Sequence, residues 1–244
     1  MERIKLLSLV VPTYRQEKII VKNIKYLENT LSKLPCKYEL LVVVDGIVDK
    51  TIDKLKKIKS KNLKILYYKK NHGKGYAVRY GISKANGDTI GFIDAGMDIS
   101  PNSMSTLLVQ MKTNNADIMI GSKLHPNSNI KYPPIRKILS WGYRNITRIL
   151  FGFNVRDTQA GLKFFKRKVA TTIFPKLKVN RFAFDVEMLA LAEQLGFDRI
   201  YEGPINFNFK KNTITSLNFF KIALETFLDT LLIFIRIKVL KNKS

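Results

Sequence analysis

Apolar residues in this chain fall into short unbroken runs, each followed by a polar turn and then a stretch of helical period. The runs "LLSLVV" (6–11), "YELLVVV" (38–44), "LKILYY" (63–68), "TIGFI" (89–93) and "DIMIG" (117–121) are rich in β-branched and aromatic residues. Their length and continuity predict strands covered on both faces. Helices are predicted to begin near Gln16, Asp49, Gly75 and Asn102. Strand and helix in strict alternation predict an α/β fold, a mostly parallel sheet flanked by helices.

After Gly121 the rhythm changes. A loop "SKLHPNSNIKYPP" leads into a helical stretch over 135–151, then "RDTQAGLKFFKR", then an amphipathic segment "FDVEMLALAEQLG" (184–196). No flexible linker separates this half from the first, so 1–214 is expected to form one domain, with a nucleotide-binding half (1–121) and an acceptor-side half (122–214). Residues 215–244 are the most apolar part of the chain. Asn218, Lys221, Glu225, Asp229 and Arg236 recur on one helical stripe, while Phe219, Phe220, Leu224, Phe227, Leu228, Leu231 and Phe234 take the other faces. The longest uncharged run there, 230–235, is far shorter than the ~20 residues a bilayer core requires. The pattern predicts either an interfacial helix or one packed on the core.

Composition narrows the environment. The chain has 244 residues, 45% of them hydrophobic and 11% aromatic, enough to build a sizeable core. A single cysteine, Cys36, rules out an internal disulfide and a cysteine-based zinc site, so a reducing, cytoplasmic setting is expected. The first residues lack the long apolar stretch of a secretory signal, and Pro12 ends the run early. A balance of 43 Lys+Arg against 19 Asp+Glu gives +24, a field that gathers polyanions or an anionic membrane surface. Part of it, as in "KLKKIKSKNLK" (54–64), reads as a solvated helix face. Nucleic acid is not the expected partner, because no recognition signature accompanies the charge and strand-end acids would repel phosphate. The first strand also lacks the G-x-G-x-x-G of dinucleotide-binding dehydrogenases.

The chemistry lies where strands end. "VVPTYRQE" places Pro12, Thr13, Tyr14 and Glu17 after the first strand; "VVVDGIVDKT" places Asp45 and Asp49 after the second; "KKNHGKGYAVRYG" brings Lys74 and Arg79; "FIDAGMD" brings Asp94, Ala95 and Asp98. In open α/β sheets the carboxyl ends of strands line the ligand crevice. Asp94 and Asp98 could equally serve as turn and cap residues of "DISPNS". His72 and His125 flank glycine or proline turns and read as loop residues.

In order and spacing these motifs resemble the family 2 glycosyltransferases of GT-A fold, whose pattern runs V-P-x-Y-N-E, V-D-D-G-S-x-D-x-T, G-K-G, D-A-D. "GSKLH" (121–125), "RDTQAGLKFFKR" (156–167) and "RFAFDVEML" (181–189) are similar to the subgroup that loads hexoses onto dolichyl or other polyprenyl phosphates, the dolichyl-phosphate β-glucosyltransferases first and the mannose synthases next. The resemblance implies an inverting hexosyltransferase using UDP-glucose or GDP-mannose, peripheral to the cytoplasmic membrane face, with an integral-membrane protein as a possible partner. It assigns Pro12, Thr13, Tyr14, Glu17, Asp45, Lys74, Asp94 and Ala95 to the nucleotide, with Asp45 accepting from the base. A Mg or Mn divalent cation would be held by Asp94 and Asp98, as befits hard oxygen ligands beside a departing diphosphate.

The acceptor phosphate would meet Lys123, Arg136, Ser140 and Arg144, with Arg136 counted among the catalytic group beside Asp94 and Asp98. Asp157, Gln159, Asp185 and Glu187 would lie near the sugar, or cap helices instead. Three departures stand out: Gly96 in place of the second acid of D-A-D, Val44 for the first paired Asp, and Ile47 for the Ser. Gly96 is expected to let substrate or backbone approach closely, and leaves a weakened metal site as the alternative.

Overall fold

Each predicted apolar run forms a strand, and alternate residues along it serve opposite sides of one sheet. β1 (Leu6–Thr13) sends Leu7, Leu9 and Val11 to one side and Val10 to the other, while β2 (Lys37–Asp45) sends Leu40, Val42 and Val44 one way and Leu41 and Val43 the other. All of these are buried, which is why the runs show no polar alternation. The computed structural model describes residues 4–131, 134–208 and 216–239; for 131, 134–140, 216–220 and 239 only the backbone is described.

The first half continues through α1 (Ile20–Leu31), α2 (Thr51–Lys56), β3 (Leu63–Tyr68), α3 (Lys74–Ser83), β4 (Thr89–Ile93), α4 (Ser103–Thr113) and β5 (Ile118–Ser122). The second half adds β6 (Asn129–Lys131), α5 (Pro134–Phe151), β7 (Leu162–Lys166), α6 (Arg167–Ile173), α7 (Phe184–Gln194), β8 (Ile200–Pro204), β9 (Asn206–Asn208) and α8 (Ser216–Phe234). Seven strands make one sheet in the order β3-β2-β1-β4-β7-β5-β8, and β6 pairs with β9 apart from it. β1 is parallel to both β2 and β4, so the chain winds outward in one direction from β1 and then resumes on its other side. That reversal opens a crevice at the carboxyl ends of β1 and β4.

β7 was not legible as a strand. It lies inside "RDTQAGLKFFKR" and runs antiparallel between β4 and β5. Leu162 and Phe164 enter one core layer and Phe165 the other. Lys163, inward in sequence with these apolar neighbours, is fully buried as well. A charged residue at an interior strand position broke the apolar run. β7 and β8 complete the sheet begun by β1–β5, so strands from before and after residue 121 lie in one sheet.

Two helices differ from the expected patterning. α7 is not amphipathic: Phe184 through Ala190 and Ala192 are all buried, its acids Asp185 and Glu187 included. α8 turns polar residues inward. Thr226, Thr230 and Ile233 are buried against the body, followed by Ile237 beyond the helix end. The Thr230 hydroxyl lies 2.7 Å from that of Tyr143 on α5, and Phe234 packs edge-on to Phe151 at 5.8 Å. Leu224, Leu228, Leu232 and Ile235 face outward instead.

Candidate active site

The β3–α3 loop ties two strand-end acids together. Asp45, buried at the end of β2, accepts hydrogen bonds from the Tyr68 hydroxyl (2.9 Å), the Asn71 amide (2.8 Å), His72 N (2.7 Å) and Gly73 N (2.9 Å). The next residue, Lys74, places its Nζ 2.7 Å from Asp94 Oδ1 at the end of β4. Gly73 has φ 101°, and a side chain there would strike the Asn180 carbonyl, so glycine is required twice over. Tyr68 and Asn71, absent from the sequence-level assignment, are thus what hold Asp45. Four donors converge on the carboxylate that the family resemblance assigned to the nucleotide. Burial, then the neighbouring Asp45 charge, pushes the Tyr68 phenol far above its ordinary range and keeps it a donor.

Asp94 is positioned from three sides. Its backbone N donates to the Gly161 carbonyl at 3.0 Å, its own carbonyl accepts from Met97 N at 3.1 Å, and a side chain at Gly161 would overlap its carboxylate. Met97 takes a left-handed turn (φ 53°), after which Asp98 is half-buried with its carbonyl accepting from Asn208 N at 2.8 Å. The Asp94 side chain stays 46% exposed to the crevice. Among the described residues no group of three or more His, Cys, Asp or Glu could hold a metal. A hard divalent ion is nevertheless commonly held by one or two carboxylates, with phosphate oxygens and waters supplying the rest. Asp94 fits that pattern, with Lys74 as its competitor. At Gly96 an added Cβ would meet nothing within 4 Å. No backbone approach therefore demands glycine there, and open space is left at the position where the D-A-D pattern has its second acid.

The remaining nucleotide-side residues line the β1 end. Thr13 is buried with its hydroxyl donating to Val11 O, while Tyr14 is exposed beneath the Arg15 guanidinium at 5.2 Å. Ala95 is buried and its carbonyl accepts from Asn23. Glu17 receives Lys50 N at 3.0 Å and so fastens the β2–α2 loop rather than facing the crevice with both oxygens. Asp49 caps the same loop through Thr51 N at 3.0 Å.

On the acceptor side the structure pairs residues that the resemblance had given to different ligands. Lys123 Nζ lies 2.9 Å from Asp157, whose carboxylate also accepts Lys123 N at 2.8 Å. Asp185 is buried against Lys163 Nζ at 2.5 Å, and that ammonium also donates to Ala160 O at 2.8 Å. Glu187, fully buried, accepts from Lys178 N and Val179 N at 2.9 and 2.7 Å and from Arg236 beyond α8. Each of the three carboxylates closes a contact within the chain. Neither acid on α7 caps the helix through its side chain. Gln159 is half-buried beside Ala160. Pro12 is half-buried on β1, and Arg144 half-buried on α5. The side chains of Arg136 and Ser140, on the first turns of α5, lie outside the described residues.

Charge alternates inward from the crevice: Asp94, Lys74, Asp185, Lys163. Burial alone would pull the Lys74 ammonium down, yet the charges of Asp94 and Asp185 outweigh it and hold Lys74 above its ordinary value. Lys163 lies deeper, and burial takes it below the usual lysine range against the pull of Asp185. Burial likewise pushes Asp185 up, opposed by Lys163 and Lys74.

The sequence profile described as Glycosyl transferase family 2 matches residues 8–174. The chain belongs to glycosyl transferase family 2. Among curated relatives, the dolichyl-phosphate beta-glucosyltransferase of Dictyostelium discoideum is 33% identical over 78% of this chain and 62% of its own length. The Homo sapiens enzyme of the same description is 33% identical over 78% and 63%. This family 2 chain thus spans less than two thirds of the length of those relatives. Glucosyl-3-phosphoglycerate synthase from Mycobacterium tuberculosis, solved with Mn2+, UDP and glucosyl-3-phosphoglycerate, superposes with TM-score 0.72 at 18% identity over 96% of this chain and 81% of that one. Mannosyl-3-phosphoglycerate synthase from Rubrobacter xylanophilus gives 0.73 at 14% identity over 95% and 74%. These two likenesses establish the GT-A architecture of the sheet.

Proposed function

We propose that this family 2 protein transfers glucose from UDP-glucose to a dolichyl or other polyprenyl phosphate with inversion, working peripherally at the cytoplasmic membrane face. The observation that carries the reading is the junction at 73–74. Consecutive residues bond Asp45 and Asp94, and so gather the tips of β2 and β4 into one polar crevice at the switch point of the sheet. The 33% identity to dolichyl-phosphate beta-glucosyltransferases supports the donor and acceptor.

A lipid monophosphate is already an anionic nucleophile, so the reaction needs positioning and charge neutralisation more than a strong base. Pro12, Thr13, Tyr14 and Ala95 would border the nucleoside, with Lys74 and Asp94 at the diphosphate. A Mg or Mn ion on Asp94, with Asp98 nearby, would neutralise charge that develops on the leaving group. Arg136, Ser140 and Arg144 on α5 would receive the acceptor phosphate. The outward leucines of α8, with Trp141 and Ile149 of α5, would meet the bilayer surface that holds the acceptor; Leu232 is 63% exposed and Ile149 82%. Among the described residues no helix is long and apolar enough to cross a membrane.

The test is transfer itself. Radiolabelled UDP-glucose, dolichyl phosphate and Mg2+ or Mn2+ should give an organic-soluble product, with GDP-mannose as the competing donor. Product from GDP-mannose alone would reassign the sugar, and no product from either donor would defeat the reading.

A further inference from the structure

Lys163 stands out as a cation with no reason to be in the core. It is fully buried on β7 and sits over the Phe92 ring, where an apolar residue would continue the pattern. Burying an ion pair rarely gains stability over a well-packed apolar pair, so such a pair points to a positional role. Its neighbours show what it positions. Lys163 Nζ is 5.4 Å from the Phe92 ring centroid; Lys74 Nζ is 5.7 Å from the same ring and 5.9 Å from that of Phe184, the residue before Asp185. Two ammonium groups therefore share one aromatic ring, and two carboxylates are available to them. Lys163 takes the inner one, Asp185, at 2.5 Å, and Lys74 takes the outer one, Asp94, at 2.7 Å.

Resting on the functional reading above, we propose that Lys74 is the chain's own cation for the leaving diphosphate, and that Lys163 is a positioning residue that keeps it turned to the crevice by occupying Asp185. Without Lys163, Asp185 would be a buried, unpaired carboxylate, and the nearest mobile cation, Lys74, would fold inward to neutralise it. With Lys163 in place, Lys74 remains at Asp94, where diphosphate oxygens can take its protons as hydrogen bonds. As an oxygen of the acceptor phosphate bonds to the anomeric carbon, the bond from that carbon to the diphosphate oxygen breaks, its electron pair goes to that oxygen, and Lys74 stays protonated throughout. The arrangement supplies positive charge at a place where this chain carries Gly96 in place of a second acid for holding a cation.

The test is isothermal titration of the full chain with UDP, GDP and uridine, in EDTA and in Mn2+. The wild type should bind one of the two diphosphates in EDTA. Lys74→Met and Lys163→Met should each weaken that binding roughly tenfold or more, the scale of a charge-assisted hydrogen bond, with uridine unaffected. In Lys163→Met/Asp185→Asn the inward anion is gone, so diphosphate affinity should return to within a few-fold of wild type. The double variant, which leaves no unpaired buried charge, carries the test if Lys163→Met alone fails to fold: introducing Lys74→Met into it must then cost the same tenfold. Wild-type binding that needs Mn2+, a Lys74→Met protein that binds diphosphate normally in EDTA, or a folded Lys163→Met that does so, would overturn the proposal while leaving the functional reading intact. A double variant as weak as the single would also overturn it. A wild type that binds neither diphosphate under any condition would take both readings down.

Discussion

At Gly96, two residues after Asp94, an added side chain would project into open space. Gly96→Asp should therefore leave the melting temperature unchanged, while a second carboxylate raises Mn2+ affinity by roughly tenfold or more, since ligand charge tunes divalent-cation binding over decades. A Mn2+ titration of the two proteins checks it. Asp117 shows charge used purely for the fold. It accepts from Arg199 Nη2 at 2.8 Å and Nε at 3.1 Å and from Lys166 Nζ at 3.2 Å. Burial alone would raise its pKa, but Arg199 and Lys166 outweigh burial and hold it below the ordinary aspartate value. A depressed folded pKa contributes stability above the unfolded pKa and loses it as pH falls through the folded one. Asp117→Asn should cost about 2 kcal/mol in urea unfolding at pH 7, and the gap between the proteins should close in acid below the aspartate range.

Helices reveal how much of the design is written as pattern and how much as exception. The exposed stripe Leu224, Leu228, Leu232 on α8 lies opposite the buried Thr226 and Thr230. Changing all three leucines to Ser should leave thermal stability within about 1 kcal/mol, because exposed positions contribute little. The same change should abolish flotation with anionic vesicles; unchanged flotation would remove α8 from the membrane reading. Glu187 gives the opposite case. Bonded by Lys178 N, Val179 N and Arg236, it pins the loop before α7, and Glu187→Ala should cost about 2 kcal/mol by removing the acceptor of those backbone N–H groups. The sequence made β1 to β5 plain, because unbroken Val, Leu and Ile runs admit few other readings. It also placed Asp45, Lys74 and Asp94 at strand ends. What stayed hidden was pairing: that Asp45 would accept from Tyr68, Asn71, His72 and Gly73, and that Lys123 would meet Asp157 across 34 residues of chain. Spacing along a chain carries no record of which donor reaches which acceptor. β7 was missed for the related reason that Lys163 imitates a surface residue.

Across the whole molecule, +24 of net charge and one outward apolar stripe act in the same direction. Binding to anionic vesicles should weaken steeply as salt rises from low to physiological strength, with neutral vesicles bound less at every salt. The placement of β7 has a further consequence, for how the chain reaches its native state. β4 and β5 do not pair with each other; each pairs with β7, whose first residue emerges from the ribosome about forty positions after β5 ends. Until then β4 lacks one neighbour and β5, which also awaits β8, lacks both, and such open edges seek other chains. A fragment ending at residue 121 should collect in the insoluble fraction, and one reaching residue 208 should not. Synthesis of this protein thus has a vulnerable interval, one that closes only when a strand carrying a buried lysine is drawn into the gap.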